Sequence, residues 1–115
     1  MRLHHLALRT RDVDPLVAFY RRWLALRVIR DNRPRSVWLQ GEQGATVLMI
    51  EQAEPHEPQP PAGTRDLIAT AVNAPTRTRL RTDLAEAGLL EDETEHTLYF
   101  RDPDGRRLGI SSHPL

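Results

Sequence analysis

A chain of 115 residues suits one ordinary domain, which removes roughly 65% of the unfolded surface from water and so permits a real hydrophobic core. Sixteen basic residues, all of them Arg, balance sixteen acidic ones, so no charge excess favours a nucleic-acid backbone, an anionic membrane or a cationic ligand. The absence of Cys excludes disulfides, thiolate metal sites and cysteine nucleophiles, and no apolar run approaches the eighteen or so residues that a membrane span needs.

In chain order, Met1 to His5 is too mixed for a secretory apolar region, so a soluble cytoplasmic protein is expected. Leu3 to Arg9 reads as a strand, with Leu6 and Leu8 on one face and Leu3, His5 and Ala7 on the other. Asp14 as N-cap and Pro15 at the first helical position predict a helix, whose Leu16, Phe19, Tyr20, Trp23 and Leu24 form a stripe that must pack on a sheet. Three short strands are expected near Leu26 to Arg30, Arg35 to Gln40 and Ala45 to Glu51, which completes β-α-β-β-β over residues 1–51. Residues 52–65, with Pro55, Pro58, Pro60 and Pro61, lack an apolar pattern and read as a stiff connector.

The pattern then repeats over residues 66–115. A strand is expected at Asp66 to Val72 and a helix from about Thr76 to Ala87, with Leu80, Leu84 and Ala87 as its stripe and Gly88 as its stop. Strands at Leu89 to Asp92, Glu95 to Arg101 and Arg107 to Ser112 follow. The last two are joined by the turn Asp102-Pro103-Asp104-Gly105, in which Gly105 takes the left-handed position. The expected class is α+β, one domain of two tandem β-α-β-β-β modules.

Two stretches carry a family resemblance. One is Leu3-His4-His5-Leu6-Ala7-Leu8 with Arg11-Asp12 and the helix containing Phe19-Tyr20; the other is Tyr99-Phe100-Arg101-Asp102-Pro103-Asp104-Gly105-Arg106-Arg107-Leu108. Together they resemble the glyoxalase, bleomycin-resistance and extradiol dioxygenase (vicinal oxygen chelate) superfamily over nearly the whole chain. The resemblance implies mixed sheets that curl into a cup or barrel with helices outside, a ligand-binding cavity and, for many members, a homodimer. In the metalloenzymes it implies a divalent ion on the first and last strand of each module.

Those four positions here are His5, Leu67, Gly109 and, by the internal register, Leu48, or Met49 if the strand slips by one. A divalent ion needs several converging oxygen or imidazole donors, and one imidazole among aliphatic side chains does not supply them. The expectation is therefore no metal and no cofactor. Glu51, His56, His96 and His113 are the donors that an atypical site would have to recruit; His4 is expected to point away from His5, as neighbours on a strand do.

Alternation places Leu3, His5, Ala7, Arg9, Ser36, Trp38, Gln40, Leu48, Ile50, Leu67, Ala69, Thr97, Tyr99 and Arg101 on the concave side. This mostly apolar lining suits a small-molecule pocket, with Trp38 and Tyr99 at related positions for a planar ligand. His5 is the candidate catalytic group, as a general base or hydrogen-bond donor. The ligand-contact set is His5, Trp38, Leu48, Leu67, Tyr99, Arg101 and Gly109, with Arg9 and Arg101 as candidate clamps for an anion. The leading expectation is a metal-independent small-molecule binding protein acting as a homodimer, with no nucleic-acid or membrane partner. The alternative is a metal-dependent glyoxalase, isomerase or dioxygenase with atypical ligands.

Overall fold

The computed structural model describes residues 1–115 apart from the side chain of Gln43. The chain divides into two compact units, Met1–Gln59 and Pro60–Leu115, so the division falls inside the expected connector. The first unit runs β1 (His5–Thr10), α1 (Val13–Trp23), β2 (Arg27–Asn32), β3 (Ser36–Gln40) and β4 (Val47–Gln52), with a single 3₁₀ turn at Glu42–Gly44. The second runs β5 (Leu67–Ala71), α2 (Ala74–Glu86), β6 (Asp92–Glu93), β7 (Thr97–Arg101) and β8 (Arg107–Ser111). The sheet orders β1-β4-β3-β2 and β5-β8-β7-β6 are the same arrangement twice. In each, the first and last strands pair in parallel and the other pairs are antiparallel.

Helix α1 forms because its apolar residues recur at helical spacing, and it buries Val13, Leu16, Val17, Tyr20 and Trp23. It starts earlier than expected. Asp12 is the N-cap residue, without a side-chain cap hydrogen bond, while Asp14 sits in the first turn and pairs with Arg33 at 3.2 Å. A carboxylate is favourable there, since the unpaired N–H groups of a first turn carry partial positive charge. The helix packs on β3 and β4, where Val37, Leu39, Leu48 and Ile50 complete the first core.

That packing corrects one expectation. Leu48 and Ile50, predicted to face the concave side, are 5% and 0% exposed within the core that α1 covers, whereas Met49 is only partly buried. β4 is one residue out of the expected phase because its pairing sets Met49, not Leu48, beside Ala7 and Trp38. A one-residue slip turns every side chain to the opposite face.

Helix α2 is held differently. Asn73 Oδ1 accepts a 2.8 Å bond from the Thr76 backbone N–H, and Pro75 near the start removes a donor that would otherwise be unpaired. Leu84 is its one fully buried side chain, and Leu98, Phe100, Leu108 and Ile110 are the buried residues of the same unit's sheet. The expected Leu80, Leu84 and Ala87 stripe shrinks accordingly: Leu80 is half-buried and Ala87 is exposed. The weak strand expected at Leu89 to Asp92 is displaced to Asp92–Glu93, where Arg81 holds Glu93 at 2.7 Å.

The β7–β8 turn has the expected form. Gly105 has φ 89° and donates its N–H to the Asp102 carbonyl at 2.9 Å. The buried Asp102 carboxylate accepts the Asp104 and Arg106 backbone N–H groups at 2.9 and 3.0 Å and the Arg106 guanidinium at 3.2 Å.

The start of the connector is fastened to the first unit. Arg9 donates to both oxygens of Glu57, at 3.0 and 2.6 Å, and to Glu51 at 2.6 Å, while the Glu54 backbone N–H also reaches Glu57. The Arg9 hydrogen bond, followed by the Glu54 N–H, lowers the Glu57 carboxyl from its ordinary 4.5 to about 2. A folded pKa below the unfolded one contributes stability above the unfolded value, and that contribution is lost as pH falls toward the folded value. The clamp is therefore expected to hold from neutral pH to well below 4.5 and to open near about 2. Carbon-detected NMR titration of the Glu57 carboxyl checks this, and a midpoint in the ordinary Glu range means that the clamp does not form.

Candidate functional site

Each sheet has one face under its helix and one face free of it. On the helix-free face of the first unit, register aligns His5 with Val47, Ala7 with Met49 and Trp38, and Arg9 with Glu51 and Ser36. The His5 and Trp38 rings lie 4.9 Å apart, tilted by 54°. His4 does meet His5, contrary to expectation: their Nδ1 atoms are 2.8 Å apart, so one donates to the other. Strand alternation does not bind His4, because β1 begins at His5.

On the corresponding face of the second unit, Leu67 aligns with Arg107 and Arg101, Ala69 with Gly109 and Tyr99, and Ala71 with Ser111 and Thr97. The Thr97 and Ser111 hydroxyls bond to each other at 2.8 Å. A Cβ on Gly109 would stand 3.3 Å from both Ala69 Cβ and Leu67 Cδ1 and 3.4 Å from Thr97 Cγ2. A side chain at 109 would therefore need these neighbours, Leu67 among them, to give by a few tenths of an ångström.

The two registers make His5 equivalent to Leu67, Trp38 to Tyr99 and Met49 to Gly109. The four positions of the implied metal site are thus His5, Met49, Leu67 and Gly109, with Met49 replacing Leu48. One imidazole and one thioether are their only donors, and a thioether is a poor ligand for hard divalent ions. Glu51 does share the face of His5, as the shifted phase of β4 requires, but Arg9 engages it. Among the described residues no three His, Cys, Asp or Glu side chains gather around one point.

The predicted set falls into two groups, His5 with Trp38 in the first unit and Leu67, Tyr99, Arg101 and Gly109 in the second. Arg9 and Arg101, expected as anion clamps, are both engaged internally. Arg101 donates to Glu91 at 2.9 Å and to the Thr64 and Gly105 carbonyls at 2.8 and 2.9 Å. The residue that sequence reasoning missed is Arg107. It is 9% exposed, and its guanidinium carbon stands 4.0 Å from the centre of the Tyr99 ring. Counting back two residues from Gly109 would have placed it on this face. A separate open depression of about 440 Å³, lined by Ala18, Arg21, Arg22, Ala25 and Leu26, contains none of these side chains.

Two α+β units, each a helix over a four-stranded sheet with its first and last strands in parallel, define a tandem β-α-β-β-β protein. The chain belongs to the Glyoxalase/Bleomycin resistance protein/Dioxygenase superfamily, whose pattern matches residues 2–110. It is 26% identical to a Salmonella typhimurium protein described as virulence protein STM3117, over 97% of this chain and 84% of that one. Among solved structures, the fold resembles the fosfomycin resistance protein FosX of Listeria monocytogenes, with a TM-score of 0.81 and 15% identity over 99% of this chain and 92% of that one. It also resembles a possible glyoxalase from Bacillus cereus, with a TM-score of 0.78 and 19% identity over 96% and 98% of the two chains.

Proposed function

We propose that the protein binds a small organic molecule on these helix-free faces without a divalent ion, as a cytoplasmic homodimer. The observation that carries this reading is Leu67 Cδ1 at 3.3 Å from the Cβ position of residue 109. An apolar contact stands where the resemblance calls for two converging donors. His5 and Trp38 supply a hydrogen-bonding group and an aromatic face in one unit, and Tyr99, Leu67 and Gly109 an aromatic and apolar surface in the other. Mostly apolar linings with a few polar heads are what small-molecule sites use. His5 then acts as a hydrogen-bond donor or acceptor to the ligand, its ring held by His4.

A second reading keeps the ion and catalysis and has one observation in its favour, the shared face of His5, Met49 and Glu51. It requires Glu51 to leave Arg9. The test is a fluorescence titration of a small-molecule panel with and without chelator. Trp23 is sealed at 8% exposure, so partly exposed Trp38 is the reporter. Binding that is indifferent to chelator is expected; binding that chelator abolishes selects the second reading.

A further inference from the structure

On the helix-free face of the second unit, Arg107 carries a charge that no carboxylate among the described residues balances. Its Nε is buried with no hydrogen-bond partner, and among the described residues no carboxylate pairs with it. A buried cationic donor without an acceptor is costly, and sequences rarely retain one without a use for it. The guanidinium carbon lies 4.0 Å from the centre of the Tyr99 ring, a contact that attracts the cation without supplying an acceptor for its N–H groups in the guanidinium plane. Directly across β7–β8 stands Arg101, a second cation, whose own partners are Glu91 and two backbone carbonyls. Glu91 already neutralises Arg101, which leaves Arg107 as the cation of this pair open to an anion. The surroundings are otherwise apolar or small: Leu67, which is 43% exposed, Ala69 and Gly109.

We infer that this face takes a small molecule with a carboxylate head, held end-on by the two terminal nitrogens of Arg107, which unlike Nε are not sealed from solvent, with its apolar body against Leu67 and Tyr99. The inference deepens the proposed binding function and rests on it. One unbalanced guanidinium matches one negative charge, and its planar fork matches two coplanar oxygens. Arg107 is thus the specificity-determining residue, with the Tyr99 ring beside it.

The experiment uses the full chain and a panel of aliphatic and aromatic monocarboxylates, each matched with its primary amide. Carboxylates are expected to bind and to shift the Arg107 Nε–H resonance of the unmodified protein, with the amides weaker by roughly tenfold or more. Arg107→Lys keeps the charge but loses the fork, and is expected to weaken carboxylate binding by a similar factor; a melting curve establishes that the variant is folded. The wild-type resonance gives a readout that survives an unfolded variant. If amides bind as well as carboxylates, or the Arg107 resonance does not move, the anionic head is wrong while small-molecule binding stands. If neither class binds, both readings fall.

Discussion

Asp102→Ala is expected to destabilise the protein by about 3–5 kcal/mol, the range for removing one partner of a buried, hydrogen-bonded charge pair. The Asp102 side chain is fully buried, and its carboxylate accepts two backbone N–H groups and the Arg106 guanidinium. Alanine leaves all three donors without that acceptor at the one turn that joins β7 to β8. The consequence reaches the site, because this hairpin sets Tyr99 opposite Gly109 and Arg101 opposite Arg107. Asp102→Asn keeps a carbonyl acceptor for the backbone and is expected to lose less. Urea unfolding of the three proteins measures the order; equal stability of wild type and Asp102→Ala would show that the turn does not depend on the carboxylate.

Leu84→Ala is expected to cost about 2–5 kcal/mol, the usual range when a fully buried leucine leaves a cavity. The effect should concentrate on α2. Helix α1 shares its attachment among five buried residues, whereas Leu84 is the one fully buried residue of α2. With so narrow an apolar face, α2 has little else to hold it when Leu84 shrinks, since most helical stability in proteins comes from packing. Hydrogen exchange is the discriminating measurement: residues 74–86 are expected to lose protection before the sheet does. Uniform loss over the unit would place α2 within a single cooperative core.

The duplicated β-α-β-β-β order was legible because each apolar pattern has its own period and because Asp102-Pro103-Asp104-Gly105 is a turn whose chemistry is local. Gly105 reads the same in isolation as in the fold. Helix starts were less legible: Asp14 and Pro15 look like a cap and a first position, yet packing of Val13 extends α1 by two residues. The phase of β4 was harder still. Val47 to Ile50 is a continuous apolar run, which by itself does not say which pair faces the helix, and the choice between Leu48 and Met49 follows only from pairing with β1 and β3.

The site was half legible for a similar reason. His5, Trp38, Leu67, Tyr99 and Gly109 follow from strand parity and the family pattern. Arg9 and Arg101 looked like free cations because their partners Glu57, Thr64 and Glu91 lie in connecting segments that no periodicity constrains. Arg107 sits beside the turn motif and is hidden among sixteen arginines. Only its buried Nε, without a hydrogen-bond partner among the described residues, singles it out.

The most direct test is calorimetric titration of the unmodified protein with Mn²⁺, Ni²⁺ and Zn²⁺, together with elemental analysis of protein purified without chelator. The account predicts metal content far below one ion per chain and no saturable heat that Arg9 and His5 variants alter. One tightly held ion per chain, released by His5→Ala, would contradict it.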